Sequence, residues 1–284
     1  MERTFEPDGG QIGSHLPTEI DTKHPHPARF YDYWLGGRDN YPADRSFGDE
    51  IAALIPGIRT MARANRGFLG RAVRYAITEL GVTQFLDIGT GLPTARNVHE
   101  VAQDVDPSAR IVYVDNDPLV LAHARALMAS TPEGRTAFIH ADLHDPASIL
   151  DDPILTQTLD LDRPVGIMLV AVLMYFRDED DPHGIVARLL DAVPSGSSLT
   201  ISHPTADIDR RSATYAAETS ERGGITMNLR TRAETERLFA GTELVEPGVV
   251  LLEDWHPELA EAPLFEVDPD AGPSWAWAGL GRKL

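Results

Sequence analysis

No cysteine occurs among the 284 residues. That excludes disulfide frameworks, thiolate zinc sites and cysteine nucleophiles together, and it suits a reducing, cytoplasmic compartment. Cations are scarce as well: 25 Lys+Arg stand against 44 Asp+Glu, a formal charge of −19. A protein built to grip a nucleic-acid backbone or an anionic membrane needs the opposite excess, so neither partner is expected. Long apolar runs are also missing. The longest charge-free apolar stretch, Val165 to Phe176, has 12 residues, whereas a membrane-spanning helix needs about 20. The N-terminal MERTFEPDGGQIG has no apolar h-region, so export is not expected. What remains is a globular composition, 42% hydrophobic and 24% charged, from which a real core can be built.

Residues 1–22 are aperiodic and contain Gly and Pro, and they read as a flexible lead-in. Residues 23–284 read as a single domain, with no internal repeat and no linker: a helical cap over 23–80 and an α/β core over 81–284. A helix is predicted from His26, with Pro27 in its first turn and Gly36-Gly37 at its end. It is dense in aromatics (Phe30, Tyr31, Tyr33, Trp34, then Tyr41). A second, from Ile58 to Thr78, carries Leu69, Val73 and Ala76 at helical spacing and five arginines on what reads as a solvated face. Beyond it, apolar runs alternate with helical segments. Strands are predicted at 84–88, 110–114, 136–140, 165–171 and 198–202, with helices at 94–105, 118–129 and 182–192 between them. Runs too apolar to be one-sided, alternating with helices, indicate a parallel sheet covered on both faces. Thr231-x-x-Glu234 is a capping-box match opening a further helix through Leu238 and Phe239. Val249 to Leu252 and Trp275 to Leu280 follow, separated by an acidic loop reaching Asp270.

The chemistry concentrates at strand ends. In FLDIGTGLPT, residues 85–94, a turn with Gly89 and Gly91 joins the first strand to the next helix, where glycine lets backbone approach a ligand closely. Val114-Asp115-Asn116-Asp117 ends the second strand and Ala141-Asp142-Leu143 the third. Open α/β sheets bind ligands at these carboxyl ends. The dinucleotide pattern G-x-G-x-x-G is broken by Thr94. Asp87 beside the turn also opposes a pyrophosphate: like charges at ~4 Å cost on the order of 4 kcal/mol at an effective dielectric near 20, with no cation in the turn to offset it. A cationic ligand suits the turn better, and S-adenosylmethionine carries a sulfonium and an ammonium and no phosphate. Asp87 would organise the turn near that cationic end, Asp115 would accept from the ribose hydroxyls and Asp142 from the adenine amino group.

In this order, D-x-G-x-G, V-D-N-D-P and A-D-L, the chain resembles the class I S-adenosylmethionine-dependent methyltransferases. With HPARFYDYWLGGRDNYPADR (His26 to Arg45), HADLHDP and the closing GLGRK (Gly279 to Lys283), it is similar to a bacterial family known as S-adenosyl methyltransferases. The resemblance spans nearly the whole chain from about residue 22. It implies a Rossmann-like, seven-stranded, mostly parallel sheet with the last strand antiparallel, helices on both faces and an N-terminal helical extension. It also implies cofactor contacts at Gly89, Gly91, Asp115 and Asp142. Pro93 departs from the third glycine of the wider pattern. Ala171 to Tyr175 lacks the Asn/Asp-Pro-Pro-Tyr motif of enzymes that methylate bases or glutamine, which leaves a small-molecule acceptor and in-line displacement.

Leu143 and Ala171, at the ends of strands three and four, complete the expected cofactor lining. Tyr33 is placed in it as part of an aromatic helix that either packs on the sheet or closes over the ligand, and Arg66 is a candidate for the cofactor carboxylate. His203, after strand five, is the candidate base and otherwise a loop histidine. His24-x-His26 lies between prolines with no partner cluster, so no metal site is expected. Two other function classes stay open on the residues alone: a nicotinamide-dependent oxidoreductase and a non-catalytic S-adenosylmethionine sensor.

Overall fold

The computed structural model describes residues 20–94, 96–127, 130–260 and 272–284. The expected lead-in thus lies, up to residue 19, outside the described residues, as does the acidic loop from residue 261 to 271.

Three helices come first. In α1 (Pro27–Trp34) the first position is a proline with no N–H to leave unpaired, and His26 Nδ1 accepts from Ala28 N. The sequence pattern did not announce α2 (Pro42–Leu54). Its start is set by a tertiary contact: Asp44 accepts from Tyr41 N at 2.8 Å and from His26 N at 2.9 Å, so one buried carboxylate ties both helix starts together. Amphipathic α3 (Ile58–Thr78) runs as the periodicity predicts.

The α/β unit follows as β1 (Gln84–Ile88), α4 (Val98–Val105), β2 (Arg110–Asp115), α5 (Pro118–Leu127), β3 (Arg135–His140), α6 (Pro146–Leu150), α7 (Pro153–Thr158), β4 (Gly166–Val170), α8 (Pro182–Asp191) and β5 (Ser198–Pro204). It closes with α9 (Arg210–Arg222), α10 (Arg232–Arg237), β6 (Thr242–Leu244), β7 (Val250–Leu251) and β8 (Ala276–Lys283). Thr231 and Glu234 do form the predicted capping box of α10.

Strand order is β3-β2-β1-β4-β5-β8-β6, with β7 also paired to β8. The first five strands are mutually parallel, and β8 enters antiparallel between β5 and β6. Eight strands form this sheet among the described residues, one more than expected. The addition is β6, whose three residues after Gly241 are too few to show alternation. A second correction concerns the helix expected from Thr94. Pro93 and the left-handed Arg96 (φ 61°) keep the chain irregular until Asn97, whose N–H is held by Glu100 at the start of α4.

Alternate strand residues explain the two covered faces. Leu86, Ile88, Val112, Val114, Ile167 and Leu169 pack toward α6, α7 and α8, whereas Phe85, Ile111, Tyr113 and Met168 pack against α3 and α4. The aromatic residues of α1 form a separate cluster, in which Phe30 and Trp34 meet Phe47 and Ile51 of α2 and Ala216 of α9. Among the described residues, no helix is long and apolar enough to cross a membrane.

Candidate functional site

The carboxyl ends of β1, β2 and β4 and the residues after β3 converge on a cavity of about 380 Å³. Asp87, Gly89, Gly91, Asp115, Asp142, Leu143 and Ala171 all line it, as does Arg66 from α3. Eight of the nine residues expected at a cofactor therefore share one wall system, although they come from five different stretches of chain.

The turn after β1 works through backbone geometry. Gly89 has φ +73°, and a Cβ there would lie 2.6 Å from Val172 Cγ2. Glycine is required for both reasons. Asp115 then fastens the turn: its Oδ2 accepts from Gly91 N at 2.8 Å and its Oδ1 from Asp117 N at 2.9 Å. Burial pushes its carboxyl above the usual range against these two N–H groups, and Asp117 nearby adds to the rise. Asp142 accepts from His144 N at 2.9 Å and Asn116 Nδ2 at 3.2 Å. Burial raises its carboxyl, but these donors and the His144 ring more than offset it, and the net shift is downward.

Asp87 differs. Its residue is only 5% exposed, and among the described residues no hydrogen bond reaches its carboxylate. Burial raises the carboxyl, Arg66 pulls it back and Asp115 adds to the rise, so that it is pushed up to about 7. Arg66 itself donates to Arg96 O at 2.9 Å, while its buried Nε has no hydrogen-bond partner. Ala171, a non-glycine residue at φ +56°, is held there by its N–H to Ser202 O at 3.2 Å. Left-handed alanine costs of order 1 kcal/mol or more and persists where surrounding structure imposes it.

Two expectations are corrected. Tyr33 is not at the cavity: its hydroxyl donates to Asp49 at 2.8 Å, and the Arg59 guanidinium lies 5.0 Å from its ring centre. Tyr31 lines the cavity instead. Successive helix residues turn by about 100°, so a two-residue step reverses the face. His203 is not a loop residue with a free nitrogen. It sits in β5, fully buried, with Nδ1 2.9 Å from Pro204 O and Nε2 2.9 Å from Arg230 Nη1. Burial pulls its imidazole down to about 4, and the Arg230 charge acts in the same sense. An N–H to the carbonyl and a lone pair to the guanidinium account for both nitrogens.

The sequence reading also missed several lining residues. His26, Tyr31, Asn65, His144 and Phe176 join the wall, and the rings of His144 and Phe176 stack at 4.1 Å. His26 Nδ1 lies 3.0 Å from Asp117 Oδ2, which brings the start of α1 beside the β2–α5 loop at the cavity rim. Proximity of His26 to the second strand end is not visible in a linear pattern.

Among the described residues, Arg66 is the one Lys or Arg lining the cavity, against three carboxylates. That balance fits a ligand carrying positive charge and opposes a diphosphate. Fold and site together define an α/β protein of the nucleoside-binding, methyltransferase-type class. The sequence profile of the S-adenosyl methyltransferase family matches residues 13–284, and the chain belongs to that family. It is similar to a DUF574 family protein from Streptomyces avermitilis, at 47% identity over 94% of this chain and 100% of that one, with a TM-score of 0.87. It is also similar to a protein from Thermobifida fusca named as a candidate methyltransferase, at 40% identity over 93% and 96% of the two chains and a TM-score of 0.82. No curated protein matches the sequence. The protein is an S-adenosylmethionine-dependent methyltransferase, and the nicotinamide and sensor alternatives find no support.

Proposed function

We propose that the enzyme transfers a methyl group to a small-molecule acceptor by in-line displacement, in the cytoplasm, with its cofactor held in the 380 Å³ cavity. The observation that carries the site assignment is the meeting of Asp87, Asp115 and Asp142 in that one cavity. Asp115 retains lone pairs beyond those used by Gly91 and Asp117 and accepts from the ribose hydroxyls. Asp142, kept ionised by His144 and Asn116, accepts from the adenine amino group, and Leu143 supplies apolar surface beside it. Asp87 faces the cationic methionine end, and Arg66, whose side chain lines the cavity, addresses its carboxylate.

S-adenosylmethionine, when bound, supplies an electrophilic methyl carbon whose sulfur departs as a neutral thioether. No acid is needed to protonate that leaving group, so the protein's task is to hold the nucleophile in line and exclude water. Tyr31, His26 and Phe176 contribute aromatic faces to the wall, which also favour a sulfonium through cation–π attraction. The helical cap over 23–80 provides the covering side.

Calorimetry tests the assignment. S-adenosylmethionine should bind and NAD should not. Asp115→Ala should weaken binding by roughly 1 to 3 kcal/mol, the loss typical of buried hydrogen bonds. Unchanged affinity in that variant would refute the role of Asp115.

A further inference from the structure

We propose that a second, smaller cavity behind Tyr31 is the acceptor chamber, and that its substrate is an uncharged aromatic molecule methylated at a single hydroxyl or amino group. The proposal rests on the cofactor reading of the larger cavity. This chamber measures about 60 Å³ and is bounded by α1, α2, α3, α9 and the end of β5. It shares Tyr31, Asn65 and Ala171 with the larger cavity, so those three residues form the doorway between donor and acceptor.

The lining decides the class of substrate. Among the described residues, no Asp, Glu, Lys or Arg contributes to it, while Phe30, Trp34 and Trp275 supply rings and Met61, Met174 and Met227 supply thioethers. His203 lines it as a neutral ring with both nitrogens engaged. A charged acceptor would be desolvated there with no counter-ion, a large cost. Flat rings against aromatic and methionine side chains are favoured. The volume is below the roughly 150 Å³ of an apolar cavity known to take benzene, so entry requires the unbranched methionines to turn aside.

Apart from Ser202, His203 and Thr205 around the end of β5, polar side chains meet the chamber at the doorway. Ser202 Oγ donates to Asn65 Oδ1 at 2.6 Å, Asn65 Nδ2 donates to Tyr31 Oη at 2.9 Å, and Tyr31 Oη donates to Ala62 O at 3.0 Å. That chain leaves a lone pair on Tyr31 Oη and one N–H of Asn65 unspent. At the edge of the donor cavity a hydroxyl can donate to Tyr31 Oη and accept from Asn65 Nδ2 with its second lone pair left for the methyl carbon, and an amine can donate to Tyr31 Oη and keep its single lone pair for that carbon. The heteroatom's lone pair forms the bond to the methyl carbon as the carbon–sulfur bond breaks with its electrons left on sulfur. The heteroatom's proton then leaves to solvent through the larger cavity.

The test uses the full chain saturated with S-adenosylhomocysteine and reads ligand binding by saturation-transfer NMR. Phenol and aniline should bind, and 4-hydroxybenzoate, charged but nearly isosteric with neutral 4-hydroxybenzamide, should bind at least tenfold more weakly than that amide. Ala213→Phe, which fills the small chamber and does not touch the larger one, should abolish phenol binding with S-adenosylmethionine affinity within twofold of wild type. Met227→Ala should enlarge the chamber and tighten 2-naphthol binding at least threefold, and this readout stands even where Ala213→Phe fails to fold. Cofactor binding without phenol or aniline binding, equal binding of 4-hydroxybenzoate and 4-hydroxybenzamide, or indifference of the probes to Met227→Ala would overturn the proposal. Failure of S-adenosylmethionine to bind wild type would instead remove the cofactor reading beneath it.

Discussion

Asp87 shows how one side chain acquires an unusual charge balance from its surroundings. Its carboxyl is pushed up to about 7 by burial, without a donor to hold the charge. Below that pH it is largely protonated and neutral, and above it is a carboxylate. A cationic ligand prefers the carboxylate, so binding should release a proton and affinity should rise with pH, by up to about tenfold per pH unit on the acid side of 7. Calorimetry from pH 6 to 8 in buffers of different ionisation enthalpy measures both quantities. Asp87→Asn should flatten the profile, and an equally flat wild-type profile would exclude this coupling. Tyr31 and Tyr33 make a complementary point: they are of the same type, two positions apart, and only the helix phase sends one to the cavity and the other to Asp49 and Arg59.

At the level of elements, α3 joins the parts of the molecule. One side packs on the sheet through Leu69 and Val73, Asn65 and Arg66 reach the cavity, and Arg71 binds the stretch before β8. The Arg71 guanidinium donates Nε to Trp255 O at 2.7 Å and Nη2 to Leu252 O at 2.5 Å, in a buried position. An arginine run read as a solvated face thus contains a buried clamp. Arg71→Met keeps the apolar stem and strands two carbonyls, so we expect a loss of about 2 to 4 kcal/mol in urea unfolding, since charged hydrogen bonds contribute roughly 1.5 to 3 each. A change under 0.5 kcal/mol would show that the contact carries little stability. The exposed Asp178 similarly proves to be half of a clamp, accepting from the buried Arg230 at 3.1 Å.

For the whole molecule, the charge of −19 sets the long-range field. It should repel nucleic acid: a labelled DNA duplex in 0.15 M salt should show no anisotropy change with micromolar protein, and a salt-sensitive complex would contradict this. Strand positions and cofactor class were legible because buried parallel strands must be apolar and because a ligand at a sheet edge needs glycine and acids at strand ends, both of which are local signals. The strands expected at 84–88, 110–114 and 198–202 form at 84–88, 110–115 and 198–204, and Asp87, Asp115 and Asp142 line one cavity. β6 and α2 stayed hidden: β6 is too short for a period, and α2 starts on a contact from Asp44 to residue 26. The inversion of His203 from free base to buried strand residue depends on Arg230, 27 positions away. By itself the sequence determined the five parallel strands, the Gly turn and the acids at the strand ends, because these depend on neighbours along the chain. Tertiary packing alone decided which aromatic faces the cavity, which histidine is silenced and where an uncharged chamber opens, because these depend on side chains brought together from α1, α3, α9 and β5.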